Sequence, residues 1–150
     1  MMRFTRKLML AVEAVLDIAY NASDLPVQSK EIAARQGVPR RYLEQVLQHL
    51  VRADILRGVR GPRGGYRLAR ERRRIALGEI VRIIAEIEAA DGDEPDEGSD
   101  LGRQILTPIW SELEEEAIRG LDEITVEDLC RRAREQGIEA RSRAKPDFMI

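Results

Sequence analysis

The segment from Ser29 to Ala53 constrains the fold more than any other part of the chain. Ser29–Gln36 has the length of a short helix, and Gly37 supplies the left-handed residue that ends a helix cheaply. Val38-Pro39 then turns the chain into a second helix, Arg40 to about Ala53, with proline at its start. Two helices joined by a short turn containing glycine form a helix-turn-helix. Ile32, Ala33, Val38, Leu43 and Val46 are small or apolar where the two helices touch, and Leu47 and Leu50 continue the stripe. At about 100° per residue, Leu43, Val46, Leu47 and Leu50 share one side, while Arg41, Glu44, Gln45, Gln48 and Arg52 share the other. That polar face can address base edges: arginine with guanine, glutamine with adenine, glutamate with the cytosine amino group. A plain amphipathic helix with a solvated face would look the same, so the residues that follow decide.

Those residues change character. Ile55–Arg60 reads as a short strand, Gly61-Pro62-Arg63-Gly64-Gly65 as a turn, and Tyr66-Arg67-Leu68 as a second strand, which makes a hairpin. From Arg57 to Arg74 there are eight arginines and one acid, Glu71. Residues 1–74 carry 16 Lys+Arg against 7 Asp+Glu, and residues 75–150 carry 9 against 20. A basic half joined to an acidic half is expected of a module that meets a polyanion on one side. An arginine hairpin beside a polar helix can straddle phosphates or enter a minor groove.

Around this reader the pattern is helical. Leu8, Ala11, Val12, Val15 and Ala19 predict a helix over Lys7–Ala22, and Leu25-Pro26 an extended link. Ile80, Val81, Ile83, Ile84 and Ile87 mark a helix from Gly78 to Glu88. Ala89–Asp100 reads as an acidic loop. A helix then begins at Leu101 or at Thr107, Pro108 leaving both open, and runs to Leu121. Thr125 and Asp128 cap a last helix ending near Gln136-Gly137, and 138–150 reads as a flexible tail. The expected fold is mainly α with a small β-hairpin: a winged helix-turn-helix domain over 1–77, then a helical sensor and dimerisation region over 78–137.

No stretch has the roughly 18–20 apolar residues a membrane span needs. Glu13 and Asp17 interrupt the apolar run a secretory signal requires, so a cytoplasmic protein without membrane attachment is expected. One histidine, one cysteine and no phosphate-cradling loop leave little from which to build an enzyme site. The Gly64-Gly65 pair lies between two strands, where a nucleotide loop would lead into a helix.

The run KEIAARQGVPRRYLEQVLQHLVRADIL followed by RGVRGPRGGYRLAR closely resembles the Rrf2 family of bacterial winged-helix regulators, over about Met2 to Asp128. Its most specific pieces are Tyr42-Leu43-Glu44-Gln45 and Arg60-Gly61-Pro62-x-Gly64-Gly65-Tyr66-x-Leu68. The resemblance implies that the helix holding Tyr42–Gln45 lies in the major groove, with Arg41, Glu44 and Gln45 reading bases. It implies that Arg60 enters the minor groove. The full set of expected DNA contacts is Arg40, Arg41, Tyr42, Glu44, Gln45, Gln48, Arg57, Arg60, Arg63, Gly64, Gly65 and Tyr66. Tyr42 and Tyr66 either reach phosphate through their hydroxyls or simply pack, and His49, at the edge of the face, is expected to be solvated.

Many family members hold an iron–sulfur cluster through three closely spaced cysteines. The matching stretch, 89–107, has no cysteine or histidine, so no cluster and no metal or other cofactor are expected. Cys130 reads as a small residue on an apolar helix face, with a thiol sensor or an intermolecular disulfide as the alternative. Relatives without a cluster respond to a small-molecule effector, a redox change or a partner enzyme. The resemblance and the apolar seam Leu106, Ile109, Trp110, Leu113, Ala117, Leu121 both point to a homodimer on double-stranded DNA, usually a repressor on a palindromic operator, the alternative for the seam being a core helix within one chain. The alternative is an adaptor that works through a protein partner and holds DNA weakly and without selection.

Overall fold

The computed structural model describes residues 5–91 and 98–141. Residues 92–97 of the expected acidic loop and 142–150 of the expected tail lie outside the described residues. The first helix, α1 (Arg6–Tyr20), opens at Thr5, whose hydroxyl oxygen accepts a hydrogen bond from the Leu8 N–H at 3.2 Å. Its buried face holds Leu8, Ala11, Ala14, Val15 and Ile18. Alanines at two of these positions let neighbouring elements approach closely, and α1 is the post against which the helix-turn-helix, the hairpin and the later helices pack.

Helices α2 (Ser29–Gln36) and α3 (Arg40–Arg52) are joined by a turn in which Gly37 adopts φ 67°, as the sequence requires. Leu43, Val46, Leu47 and Leu50 are all buried, which removes the whole apolar stripe of α3 from water. Each such side chain contributes about 1.5–3 kcal/mol. Strands β1 (Leu56–Val59) and β2 (Gly65–Leu68) pair antiparallel, with Leu56 opposite Leu68 and Val59 opposite Gly65.

Val27, in the link expected to be merely extended, bridges β2: its N–H donates to the Tyr66 carbonyl at 3.0 Å, and the Tyr66 N–H donates back at 2.8 Å. The hairpin is therefore fastened to the chain just before α2.

A 3-10 turn (Arg72–Arg74) leads into α4 (Leu77–Asp91), which runs past the expected end at Glu88. Helix α5 (Thr107–Asp122) and helix α6 (Val126–Glu135) complete the chain. Both expected starts of α5 prove helical. The chain is helical from Asp100, widens into one π turn at Gly102–Leu106, and tightens again at Thr107. Pro108 is the cause: it cannot donate to the carbonyl four residues back and its ring crowds that carbonyl, so the turn before it loosens. Thr107 compensates, its backbone N–H and its Oγ1 both donating to the Gly102 carbonyl.

Thr125 and Asp128 form the expected capping box of α6, at 2.9 and 3.1 Å. A bridge between Ala76 and Thr125 ties the starts of α4 and α6 together. Residues 138–141, expected to begin a flexible tail, are held against the end of α1. The Tyr20 hydroxyl donates to the Ile138 carbonyl, and the Arg141 N–H donates to Asn21 Oδ1 at 2.6 Å.

Candidate nucleic-acid interface

The position of α3 is set from behind. Arg35 on α2 makes two hydrogen bonds to the Asp17 carboxylate of α1, at 2.7 and 2.8 Å. This paired geometry, which suits guanidinium and carboxylate, fixes the first helix of the reader on the post. The pair holds the Arg35 guanidinium above its usual range, its hydrogen bond to Asp17 outweighing the effect of burial.

With the stripe of α3 buried, Arg40, Arg41, Gln45, Gln48 and Arg52 are exposed. Glu44 is organised by its neighbours. Ser29 Oγ donates to Glu44 Oε1 at 2.9 Å, and Arg40 Nε lies 2.7 Å from the same oxygen and 3.1 Å from Ser29 Oγ. The Ser29 hydroxyl, and after it the Arg40 guanidinium, holds the Glu44 carboxyl below the usual carboxylate range. Glu44 is thus an ionised acceptor with one preferred direction, the state a cytosine amino group requires.

The wing is shaped by backbone crowding. A Cβ on Gly64 would stand 2.2 Å from the Val59 carbonyl oxygen, and one on Gly65 would stand 2.4 Å from that of Val27. No side chain fits at either position, so the two glycines let the wing fold over itself and press against the link. At the tip, Arg60, Gly61, Pro62 and Arg63 are exposed.

Between α3 and the wing lies an open groove of about 660 Å³. It gathers Arg40, Glu44, Gln48, Arg60, Gly64, Gly65 and Tyr66 from the expected set. Arg41, Gln45 and Arg63 do not line it and stand exposed; Tyr42 packs half-buried against the core, as does Tyr66, which also reaches the groove. His49 is half-buried. Arg57 lies apart: it lines a second cavity, as alternation along a strand demands for the neighbour of Gly58, which faces the groove.

Sequence reasoning missed Ser29 and Lys30. Both line the groove from the first turn of α2. A hydroxyl and a lysine at a helix start, the end that attracts anions, were the available signal.

The remaining arginines of the basic run have structural work. Arg67 donates to the carbonyls of Ser23 and Asp24 at 2.9 and 2.6 Å, clamping β2 to the link. Arg70 reaches Glu79 at 2.6 Å, Arg72 pairs with Glu127, and Arg73 meets Glu71 at 2.7 Å. Among the described residues Arg41, Arg57, Arg60 and Arg63 have no ion-pair or hydrogen-bond partner, so their charge faces solvent.

A second surface belongs to the C-terminal half. Leu106, Ile109, Trp110 and Leu113 are 49, 47, 48 and 53% exposed, and Leu101, Ile105 and Ala117 extend the stripe. Leu121, the last residue of the expected seam, is half-buried against the core of its own chain. Cys130 is fully buried on α6, and burial pushes its thiol up, against a smaller opposing pull from Arg72. Among the described residues no group of three or more histidine, cysteine or acidic side chains is placed to hold a metal ion. No helix among them is long and apolar enough to cross a membrane.

Comparison with known proteins agrees with this architecture. Residues 4–132 match the Rrf2 family, described as iron-dependent transcriptional regulators. The chain is 36% identical over 129 residues to the HTH-type transcriptional regulator IscR of Yersinia pseudotuberculosis, covering 85% of this chain and 79% of that one. Among solved structures it resembles IscR of T. potens, with a TM-score of 0.70, 32% identity and 93% of each chain covered. It also resembles CymR, the global cysteine regulator of B. subtilis, with a TM-score of 0.67, 25% identity, and 88% and 98% of the two chains covered. With a family match over residues 4–132 and these relatives, the chain belongs to the Rrf2 family of transcriptional regulators.

Proposed function

We propose that this protein is a sequence-specific repressor that binds a palindromic operator as a homodimer, without an iron–sulfur cluster. The observation that carries the reading is the groove between α3 and the wing, where Arg40, Glu44 and Gln48 face Arg60 across a gap backed by Gly64 and Gly65. In this reading α3 enters the major groove. Glu44, Gln45, Gln48 and Arg41 address base edges, Arg40, Lys30 and Arg63 hold phosphates, and Arg60 inserts into the adjacent minor groove. Arg57 drops out of the contact set because it lines a different cavity.

Two protomers meet through the exposed stripe of α5. Leu101, Ile105, Leu106, Ile109, Trp110 and Leu113, each about half or more exposed in one chain, form a continuous apolar face that a second copy would cover. A twofold protein then matches a twofold site. The chain's residues do not fit an iron–sulfur cluster. Such a cluster needs several thiolate or imidazole ligands, and the chain has one cysteine, Cys130, buried on α6, and one histidine, His49 on α3.

Selection of sheared genomic DNA on the purified protein at about 150 mM salt tests the reading. Enrichment of a shared palindrome is expected, with Arg60→Ala weakening specific binding and Glu44→Ala chiefly relaxing base preference. Retention of DNA without any shared sequence, together with a protein partner recovered from lysate, would favour the adaptor instead.

A further inference from the structure

The wing has a second side. Between it, the end of α1, the link before α2 and the 3-10 turn lies an open cavity of about 950 Å³, at the upper end of the range that holds small molecules. Its lining is of mixed character. Ile18, Leu25, Pro26 and Leu68 give an apolar wall, while five arginines stand against two glutamates.

Four of those arginines are committed to the fold: Arg67 to the link, Arg70 to Glu79, Arg72 to Glu127 and Arg73 to Glu71. Arg57 is the exception. It is exposed and has no ion-pair or hydrogen-bond partner among the described residues. An excess of positive charge, one uncommitted guanidinium and an apolar wall describe the recognition chemistry of a small organic acid.

We infer that this cavity binds a small organic carboxylate, its head paired with Arg57 and its apolar body laid against Ile18, Leu25 and Leu68. A guanidinium offers two parallel N–H donors to a carboxylate, which gives orientation as well as attraction. The cavity lies on the other side of the hairpin from the groove and shares only Tyr66 with it. The groove borders the recognition helix, whereas the cavity borders the Arg67 clamp, Arg57 and Arg67 being partners in the hairpin register. A ligand there touches the wing and the body of the domain at once, and so joins the element carrying Arg60 to the element carrying α1.

The test uses the full chain without DNA, so its result is separate from that of the operator selection. Acetate, butyrate, hexanoate, octanoate and phenylacetate are each titrated against their primary amides by calorimetry and ligand-observed NMR. Affinity is expected to rise with apolar size and to exceed that of the amide by about tenfold or more, the usual advantage of a charge-assisted hydrogen bond. Arg57→Gln, a surface change checked by its unaltered melting curve, should bring acid and amide together. Leu25→Gln should flatten the dependence on chain length. Equal binding of acids and amides to the wild type, or acid binding untouched by Arg57→Gln, overturns the assignment.

Discussion

Truncation of Leu113 on α5 tests the proposed dimer most directly. The residue is 53% exposed within one chain, in line with Ile109 and beside Trp110. Truncation to alanine removes about 65 Å² of apolar surface per protomer, about 130 Å² across the twofold axis, or about 3 kcal/mol of association. That corresponds to a rise of about a hundredfold in the dimer Kd. The monomer should keep its fold, because Leu113 stands outside the single-chain core. Trp110, the chain's one tryptophan, is half exposed and reports association directly. On dilution its emission should move to longer wavelength at the concentration where sedimentation shows dissociation, and both midpoints should shift together in Leu113→Ala. Operator affinity should fall with them, since a half-site alone holds one reader. A Leu113→Ala dimer Kd within about threefold of wild type would refute the placement of the interface on this stripe, threefold being well under 1 kcal/mol.

The same geometry sets other outcomes. Gly65→Ala puts a methyl group against the Val27 carbonyl, so the wing must shift; specific DNA binding should drop sharply while helical circular dichroism is retained. Arg35→Ala removes a partner from a largely buried carboxylate and should cost about 1–3 kcal/mol in urea denaturation. The Cys130 thiol is held above its usual range by burial, so the native state keeps its proton longer than the unfolded chain does. Its contribution to stability is full below the unfolded-state thiol pKa, about 8.5, and is lost as pH rises through the folded value; the Tm of wild type should fall relative to Cys130→Ala over that alkaline range. At neutral pH the thiol should react with a maleimide far more slowly than a small-molecule thiol does, and rapid labelling of folded protein would restore the redox-sensor reading.

What the sequence could and could not disclose follows from the range of each interaction. The two reader helices were legible because their signals are local. The spacing of Leu43, Val46, Leu47 and Leu50 names the buried face, and Gly37 with Pro39 names the turn. The capping box at Thr125 was legible for the same reason, its partners being three residues apart. Contacts between distant segments were not. Nothing near Val27 announces that it will bridge Tyr66, and nothing near Arg67 distinguishes an arginine spent on the carbonyls of Ser23 and Asp24 from one offered to DNA.

The arginine-rich run thus marks a wing, and its charge alone does not say what each arginine does. A count of charge cannot say which guanidiniums the fold has already used. The structure divides them. Arg67 holds β2 to the link, Arg70 and Arg72 tie the segment after the wing to α4 and α6, and Arg73 pairs with its neighbour Glu71, while Arg60 and Arg63 stand at the exposed tip. A wing held this way keeps Arg60 on the same groove as Arg40, Glu44 and Gln48 of α3, as the proposed reading of two adjacent DNA grooves requires. The electrostatics that attract the polyanion and those that position the reader thus come from one stretch of sequence, separated only by what each side chain finds within reach.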